Sequence, residues 1–308
     1  MNRLINQTYK LGFVILHYQV IKETIACIES IIKYIDTKEY YIVVVDNGSL
    51  NQSGSELLNK YQENERVVVI QTGKNLGFSG GNNVGFAYAK YELDCDFIVM
   101  SNNDTEIMQS DFFAQVLKEY QNSKFAVLGP EIHLLDDSVC IYPFELLKLN
   151  QLDKDRERVN KLIFKNKWFL ESIDLTIKHT IMKLIHWDKI RSRFRESIPI
   201  PTYQRHVRLH GCCLIFSPVY IQKFDGLEER TFFYGEEDVL FVRLIRNHLL
   251  SVYQPLVKIK HHEQAATNEL KGKGYKKRMF IYKTHLKSLD MIEAMYKEDI
   301  ESLKDYIL

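Results

Sequence analysis

The alternation of short apolar runs with longer amphipathic stretches over the first 130 residues constrains the fold of this chain more than any other feature. Each apolar run is long enough for one buried strand, and the stretches between the runs carry apolar residues at helical spacing. This order is typical of an α/β fold, a mostly parallel sheet flanked by helices with right-handed crossovers. We predict strands at residues 12–16, 41–45, 67–71, 97–100 and 125–128, and helices that include residues 21–35 and 111–121.

The composition limits the class of protein. With 308 residues, 45% of them hydrophobic, the chain can bury a full core. Its 41 basic and 40 acidic residues give a net charge of +1, so we expect no nucleic acid partner. Its five cysteines form no CxxC pair, which favours a reducing compartment. The apolar run at residues 11–16 is too short for a signal sequence or a membrane span, and we therefore expect the protein in the cytoplasm.

Beyond residue 143 the sequence pattern changes. A long basic stretch with Trp168 and Trp187 indicates a helical insertion, and strand-like runs resume at residues 207–216, 250–253 and 256–260 around a helix at 239–247. We interpret the whole chain as one domain with four parts. These are a first half at residues 10–130, the helical insertion at about 144–201, a second half at 205–263, and a helical C-terminal extension at 264–308.

The polar residues that follow the strands are the candidates for a site, because open sheets of this kind bind ligands beyond the carboxyl ends of their strands. The second predicted strand runs into Asp46, Asn47 and Gly48, which offer hydrogen bonds to a nucleoside or else close the strand with an Asx-turn. The third is followed by a Gly-rich loop at residues 75–83, whose backbone amides could approach a phosphate or a sugar. This loop lacks the GxGxxG order of dinucleotide-binding enzymes, and a purely structural helix start is the alternative.

The fourth predicted strand ends in Asn102, Asn103 and Asp104. Mg²⁺ and Mn²⁺ take oxygen ligands and often keep several waters, so the single carboxylate of Asp104 could hold such a cation on a diphosphate. A helix-capping role for Asp104 is the alternative.

A second acidic cluster, Glu236, Glu237 and Asp238, follows an aromatic run at residues 232–234. Apolar neighbours raise the pKa of a carboxyl group, so one of the three could act as a general base, although a helix N-terminus also favours acids. His261 and His262 follow the last strand-like run. Since adjacent side chains on a strand point to opposite faces, at most one of them reaches the site, and we assign His262 to the metal with His261 as the open alternative.

Taken in order, four motifs resemble those of the family 2 glycosyltransferases, which have the GT-A fold, and especially the rhamnosyltransferase-like branch that builds bacterial surface polysaccharides. The resemblance covers residues 10–130 and 205–263. It implies an inverting transferase that moves rhamnose or another hexose from a dTDP- or UDP-sugar to a saccharide or a lipid-linked saccharide. The motifs are Val45-Asp46-Asn47-Gly48-Ser49, Asn75-Leu76-Gly77-Phe78-Ser79-Gly80-Gly81-Asn82-Asn83, Ser101-Asn102-Asn103-Asp104 and Tyr234-Gly235-Glu236-Glu237-Asp238.

The resemblance also implies roles for single residues. Asp46 would bind the base of the donor, Asp104 would be the last acid of a DxD motif that holds Mg²⁺ or Mn²⁺, and Asp238 would be the catalytic base, with Glu237 the next candidate. The chain departs from the family pattern at Asn102, where DxD has its first Asp, and at Leu240, where members often have a further Asp. The predicted donor-binding residues are Asp46, Asn47, Gly48, Asn75, Gly77, Phe78, Gly80, Asn82 and Asn103, and the acceptor-side residues are Gly211, Cys212 and Tyr234.

Two other functions stay open at this level. A sugar nucleotidyltransferase normally has a Gly-rich loop after its first strand, where this chain has Leu16-His17-Tyr18-Gln19. The departures at Asn102 and Leu240 leave room for a catalytically idle binding protein. The basic, aromatic stretch at residues 161–195 has the composition of a segment that lies on an anionic membrane, which would place the protein on the inner face of the cell membrane. An ordinary helical subdomain or the interface of a homo-oligomer would have the same composition.

Overall fold

The computed structural model describes residues 9–140, 145–168, 202–230, 234–262 and 274–308. A nine-stranded sheet lies at the centre of the molecule, and helices flank it. Within these ranges no helix is long and apolar enough to cross a membrane.

The first half of the chain builds the parallel part of the sheet. Its elements are β1 (Leu11–His17), α1 (Ile21–Tyr34), β2 (Tyr40–Asp46), α2 (Ser53–Tyr61), β3 (Val67–Gln71), α3 (Gly77–Tyr91) and β4 (Phe97–Asn102). β1 pairs in parallel with β2 and with β4, and β2 pairs in parallel with β3. β1 and β2 are almost entirely buried, which explains why their sequences are continuous apolar runs instead of an alternating pattern.

The second half of the chain completes the sheet and adds a helical layer. Its elements are β5 (Thr105–Ile107), α4 (Phe112–Ser123), β6 (Val127–His133), α5 (Leu149–Lys167), β7 (Gln204–Arg205), β8 (Cys213–Phe216), α6 (Pro218–Ile221), α7 (Glu236–Arg246), β9 (Ser251–His261), α8 (Tyr275–Glu298) and α9 (Ile300–Ile307). The strand order is β3-β2-β1-β4-β8-β6-β9-β5, and β7 pairs with β9. β8 runs antiparallel to both β4 and β6, whereas β9 runs parallel to β6.

The predicted α/β fold with a mostly parallel sheet is confirmed, but several predicted strands were wrong in extent. The strand expected at residues 207–216 shortens to β8, because the chain turns at Gly211 and the backbone N–H of Cys212 donates to His210 Nδ1 at 3.1 Å. The runs at 250–253 and 256–260 form the single strand β9, whose pairing with β6 shifts in register between Pro130 and Glu131. The strand expected at 125–128 begins at residue 127 and extends to residue 133.

A second apolar core lies outside the sheet, between α7 and the helices α5, α8 and α9. Phe241 of α7 packs there with Leu152 of α5, Tyr296 of α8 and Ile307 of α9. This packing holds the helix whose first turn carries the acidic cluster. α5 lies within the stretch predicted to be an insertion, and Trp187 lies outside the described residues.

Candidate active site

Two predicted motifs meet at one edge of the sheet because β2 and β4 flank β1. Leu16 of β1 is paired with Val45 on one side and with Asn102 on the other. The residues that follow these positions, Asp46 and Asn103, therefore lie at the same edge, on either side of His17. The sheet thus brings the nucleoside motif and the metal motif together.

The turn after β2 is tightly built. Asp46 is buried, and its Oδ1 accepts a hydrogen bond from the backbone N–H of Ser49 at 3.1 Å. A side chain at Gly54 would place its Cβ 1.9 Å from Asp46 Oδ2, so α2 begins directly against this carboxylate. Gly48 has a φ of +75°, and a Cβ there would overlap the backbone of Lys74. The Asp46 carboxylate therefore closes the turn by bonding the backbone three residues on, at the carboxyl edge of the sheet.

Asn47 joins this turn to the Gly-rich loop. Its Oδ1 accepts from the N–H of Leu76 at 2.8 Å, and its Nδ2 donates to the carbonyl of Gly77 at 3.0 Å. Asn75 Oδ1 in turn accepts from the N–H of Gly77 at 2.9 Å, and Gly77 itself has a φ of +79°. Asn47 and Asn75 therefore hold the start of α3. The contacts predicted between this loop and the nucleotide sugar would be made by the backbone of the loop.

Asn82, Phe78 and Gly80 lie in the first turns of α3. Asn82 is buried and donates to the carbonyl of Phe78 at 3.1 Å, whereas Phe78 and Gly80 are half-buried. Next to them Asn83 accepts a hydrogen bond from the N–H of Leu227 at 2.7 Å, which ties this loop to the chain segment that precedes α7.

A buried polar chain crosses the edge of the sheet beneath these loops. His17 Nδ1 lies 2.7 Å from Thr24 Oγ1, and its Nε2 lies 2.8 Å from Ser53 Oγ. Asn103 Nδ2 donates to the same Thr24 hydroxyl at 3.0 Å. Burial lowers the pKa of His17 to about 4 despite the opposing effect of the Asp46 carboxylate, so the imidazole is neutral at physiological pH. The Thr24 hydroxyl therefore holds the side chain of Asn103, and Asn103 fixes the turn that carries Asp104.

The Asp104 carboxylate contacts the imidazole of His261, whereas His262 contacts Asp104 through the backbone, its N–H donating to the Asp104 carbonyl at 2.9 Å. The Nε2 of His261 lies 3.2 Å from Asp104 Oδ1, and both side chains are buried. His262, which we had assigned to the metal, lies between Glu23, 2.9 Å from its Nδ1, and Glu106, 3.1 Å from its Nε2. Of the two imidazoles, only that of His261 lies beside the Asp104 carboxylate.

The acidic cluster occupies the first turn of α7. Asp238 is buried and accepts two hydrogen bonds from Arg208, from Nε to Oδ1 at 3.1 Å and from Nη2 to Oδ2 at 3.2 Å. Burial raises the pKa of Asp238, and Arg208 opposes that shift. Burial raises the pKa of Glu236 to about 8, and the charges of Glu237 and Asp238 add to the shift. Glu237 Oε1 accepts from the N–H of Gly211 at 3.2 Å.

Cys212 connects the metal motif with the acidic cluster. The backbone N–H of Asn102 donates to the carbonyl of Cys212 at 2.8 Å, and the neighbouring Gly211 binds Glu237. Burial raises the pKa of the Cys212 thiol well above its usual range, and the charges of both Asp104 and Glu237 act on this thiol. Cys212 is therefore a packing residue between the two clusters, not a nucleophile.

Tyr234 stands at the other side of the acidic cluster. Its φ is +70°, and with Gly235 it turns the chain into α7. Its ring packs edge-on against His285 of α8 with centroids 6.4 Å apart. Burial raises the pKa of its hydroxyl, and the charge of Glu236 adds to the shift. α8 therefore packs beside Tyr234, one of the residues predicted on the acceptor side.

The residues present fit a hard divalent cation. Asp104 and His261 offer an oxygen and a nitrogen donor side by side, and His261 Nδ1 is buried with no hydrogen-bond partner in the described chain. Across those same ranges no group of three or more His, Cys, Asp or Glu side chains could hold a metal. Two protein ligands suffice for Mg²⁺ or Mn²⁺ when water and diphosphate oxygens supply the others.

Sequence reasoning missed Arg208 entirely. Arg208 lies in a strand-like run, and the only sign of a functional role in the sequence was its charge within that run. Its partner Asp238 is 30 residues away. No local spacing rule links residues so far apart. The Thr24 hydroxyl, which joins His17 to Asn103, was missed for the same reason.

The chain matches one family model and one curated relative. A family model described as Glycosyl transferase family 2 matches residues 13–191. The low-salt glycan biosynthesis hexosyltransferase Agl10 of Haloferax volcanii is 31% identical to the chain over 90 residues, which are 29% of this chain and 27% of that protein. The match thus spans about a quarter of that relative's length.

Solved structures share the fold. S. aureus TarS 1–349 in complex with UDP-GlcNAc aligns over 97% of this chain and 73% of that chain, with a TM-score of 0.51 and 12% identity. The mannosyltransferase PcManGT from Pyrobaculum calidifontis, in complex with GDP-Man and Mn²⁺, aligns over 96% of this chain and 76% of that chain, with a TM-score of 0.51 and 10% identity. At these identities the likeness shows the fold, which is the GT-A type.

Proposed function

The chain belongs to glycosyl transferase family 2, and from this premise we propose that it is an inverting, metal-dependent hexosyltransferase that uses a nucleoside diphosphate sugar. The observation that carries the proposal is the junction at Cys212. The Asn102 N–H bonds the Cys212 carbonyl and the Gly211 N–H bonds Glu237, so one short segment contacts both the turn that carries Asp104 and the acidic cluster. A cation donor pair beside buried carboxylates is what a single displacement at a sugar carbon requires.

In the proposed reaction Asp238 takes the proton of the acceptor hydroxyl. The acceptor oxygen forms a bond to the anomeric carbon, the bond from that carbon to the diphosphate oxygen breaks, and the electron pair leaves with the nucleoside diphosphate. A divalent cation bound by Asp104 and His261 would neutralise the negative charge on the leaving group. One carboxylate suffices for this inverting route, because no covalent intermediate with the enzyme is formed.

We infer the donor and the acceptor from the loops at the carboxyl edge of the sheet. We assign the nucleobase of the donor to the turn at Asp46 and Gly48. The diphosphate and the sugar are assigned to the backbone amides around Gly77 and to Asn103. Rhamnose or another hexose on dTDP or UDP is the proposed donor, and a saccharide of a bacterial surface polysaccharide is the proposed acceptor. The hexosyltransferase Agl10 and the nucleotide sugars bound by TarS and PcManGT support this class of substrate.

We also propose that the protein works in the cytoplasm at the membrane face, on a lipid-linked acceptor. The outward face of α5 supports this location, because it combines basic residues with two exposed aromatic rings. Trp168 is 67% exposed and Phe164 is 59% exposed, and their ring centroids lie 6.3 Å apart. The exposed basic residues of this face are Lys154, Arg158, Lys161 and Lys165.

A donor screen tests the proposed function directly. The protein is incubated with a panel of UDP-, dTDP- and GDP-sugars with and without Mn²⁺, and both thermal stability and release of nucleoside diphosphate are measured. A cognate donor at about 100 times its Kd adds about 2.7 kcal/mol of stability. Stabilisation without release of nucleoside diphosphate in the presence of a broad acceptor mixture would favour an idle binding protein. Release of pyrophosphate from a nucleoside triphosphate and a sugar phosphate would favour a nucleotidyltransferase.

A further inference from the structure

Arg208 lies at the centre of the acidic cluster although it belongs to a different part of the chain. It precedes β8 and reaches across to the first turn of α7, where its Nη2 also lies 3.7 Å from Glu237 Oε2. The side chains of Arg208 and Asp238 are 16% and 10% exposed, so the pair is largely withdrawn from water. The two hydrogen bonds to Asp238 use both carboxylate oxygens, which fixes the plane of the carboxylate as well as its position.

The surroundings of Asp238 would otherwise favour its protonated form. Glu237 on its own helix adds negative charge, Glu236 does so only above its pKa of about 8, and Tyr296 of α8 faces Asp238 from the second core. Burial disfavours a charge, and a neighbouring carboxylate disfavours a second one. Arg208 is the positive group that acts against these effects. A protonated Asp238 could not accept a proton from an acceptor hydroxyl.

We propose that Arg208 is a positioning residue that keeps Asp238 ionised and fixes the direction of its carboxylate for the removal of the acceptor proton. This inference rests on the proposed function, in which Asp238 is the general base. Arginine suits the task because its planar fork matches both carboxylate oxygens and stays charged at every working pH. A lysine would supply the charge but not the two-point contact.

The pH dependence of transfer is the first test. Wild type, Arg208→Gln and Arg208→Lys are compared for kcat between pH 5.5 and pH 9.5, with Arg205→Gln as the matched control because Arg205 is an exposed neighbour. We expect the acidic limb of the Arg208→Gln profile to move to higher pH by about one to three units, and that of Arg208→Lys to move less. The control profile is expected to stay in place. An Arg208→Gln rate that falls equally at all pH values, with the limb unmoved, would contradict the inference.

Thermal stability gives a second readout that needs no activity. Arg208→Gln removes the cation that faces the buried Asp238 carboxylate, and Asp238→Asn removes the negative charge that binds two nitrogens of Arg208, so each single variant should lower the Tm at pH 7.5. The double variant buries neither charge, and we expect its Tm to lie above that of either single variant. Two losses that simply add in the double variant would show that the pair is not coupled and would overturn the inference.

The two tests separate this inference from the proposed function. A wild-type protein without transferase activity on any donor would refute the proposed function, whatever the stability cycle shows. An active wild type with uncoupled Arg208 and Asp238 would leave the transferase standing and remove the role of Arg208.

Discussion

The imidazole of His261 faces the carboxylate of Asp104 at 3.2 Å, and both side chains are buried where β9 ends beside β5. His262, one residue further along the chain, is instead held between Glu23 and Glu106. Two adjacent histidines therefore have separate roles. One imidazole lies beside the Asp104 carboxylate, and the other lies between the carboxylates of Glu23 and Glu106.

Replacement of the two histidines should separate these roles. We expect His261→Ala to weaken activation by Mn²⁺ by one to two orders of magnitude, because it removes one of two protein ligands. His262→Ala removes ion pairs on a partly exposed surface and should leave the Mn²⁺ requirement unchanged. Titration of donor hydrolysis or transfer with Mn²⁺ measures both. Equal losses in the two variants would contradict the assignment of His261 to the metal.

Removal of the proposed base should abolish transfer without abolishing donor binding. Asp238→Asn keeps the shape of the side chain but cannot take a proton, so kcat should fall by about 10² to 10⁴. Glu237→Gln, which weakens the contact with the Gly211 amide, should have a smaller effect. The comparison uses single-turnover transfer together with donor affinity from thermal shifts. Unchanged turnover in Asp238→Asn would show that Asp238 is not the general base and would assign that role to Glu237.

Asn47 should stabilise the edge of the sheet more than its size suggests. Its side chain bonds both Leu76 and Gly77, so Asn47→Ala leaves a buried N–H and a buried carbonyl without their partner. We expect a loss of about 2 kcal/mol in the free energy of unfolding and weaker donor binding. Urea unfolding measures the stability, and Asn59→Ala on the exposed side of α2 is the control. A variant as stable as the control would show that the loop does not depend on these bonds.

His17 should make the protein less stable in mild acid. Its pKa is about 4 in the folded protein and 6.5 in the unfolded chain, so the unfolded chain binds the proton first. Stability contributed by the neutral imidazole is therefore full above pH 6.5 and is lost as the pH falls from 6.5 towards 4, by at most about 3 kcal/mol. His17→Gln removes this contribution to the pH dependence. Urea unfolding at pH 7.5 and pH 4.5 should show a smaller change for the variant than for wild type, and an equal change would refute the prediction.

The outward face of α5 should bind anionic vesicles. We expect wild type to float with vesicles that contain about 30% phosphatidylserine at low salt, and binding to fall as salt rises because each basic residue near the surface adds about 1 kcal/mol. Phe164→Ala with Trp168→Ala should weaken binding, whereas the control Leu58→Ala, at an exposed apolar position on α2, should not. Absence of binding by wild type at low salt would remove the membrane contact. Loss of a dimer in the double variant would identify the face as an interface between copies.

Most of the parallel half of the fold could be predicted because its signals are local. The strands β1 to β4 are continuous apolar runs, and each is followed by polar residues that parallel pairing must place at one edge. The predicted strand at residues 67–71 agrees with β3 at both ends. The prediction failed where a side chain redirected the backbone. Residues 207–212 alternate apolar and polar side chains as far as His210, as a strand does, but His210 Nδ1 accepts from the N–H of Cys212 and the chain turns.

The sequence by itself determined which residue types stand at the carboxyl edge of the sheet, since hydrophobic periodicity and strand ends are properties of neighbouring residues. Only the tertiary structure decided that His261 and not His262 meets the Asp104 carboxylate. The alternation along residues 257–261 places His261 with the buried Val257 and Ile259, but only the pairing of β9 with β5 brings that position beside Asp104. The pairing of Arg208 with Asp238 was likewise decided by the packing of α7 against the segment before β8, a contact between distant parts of the chain that no local pattern encodes.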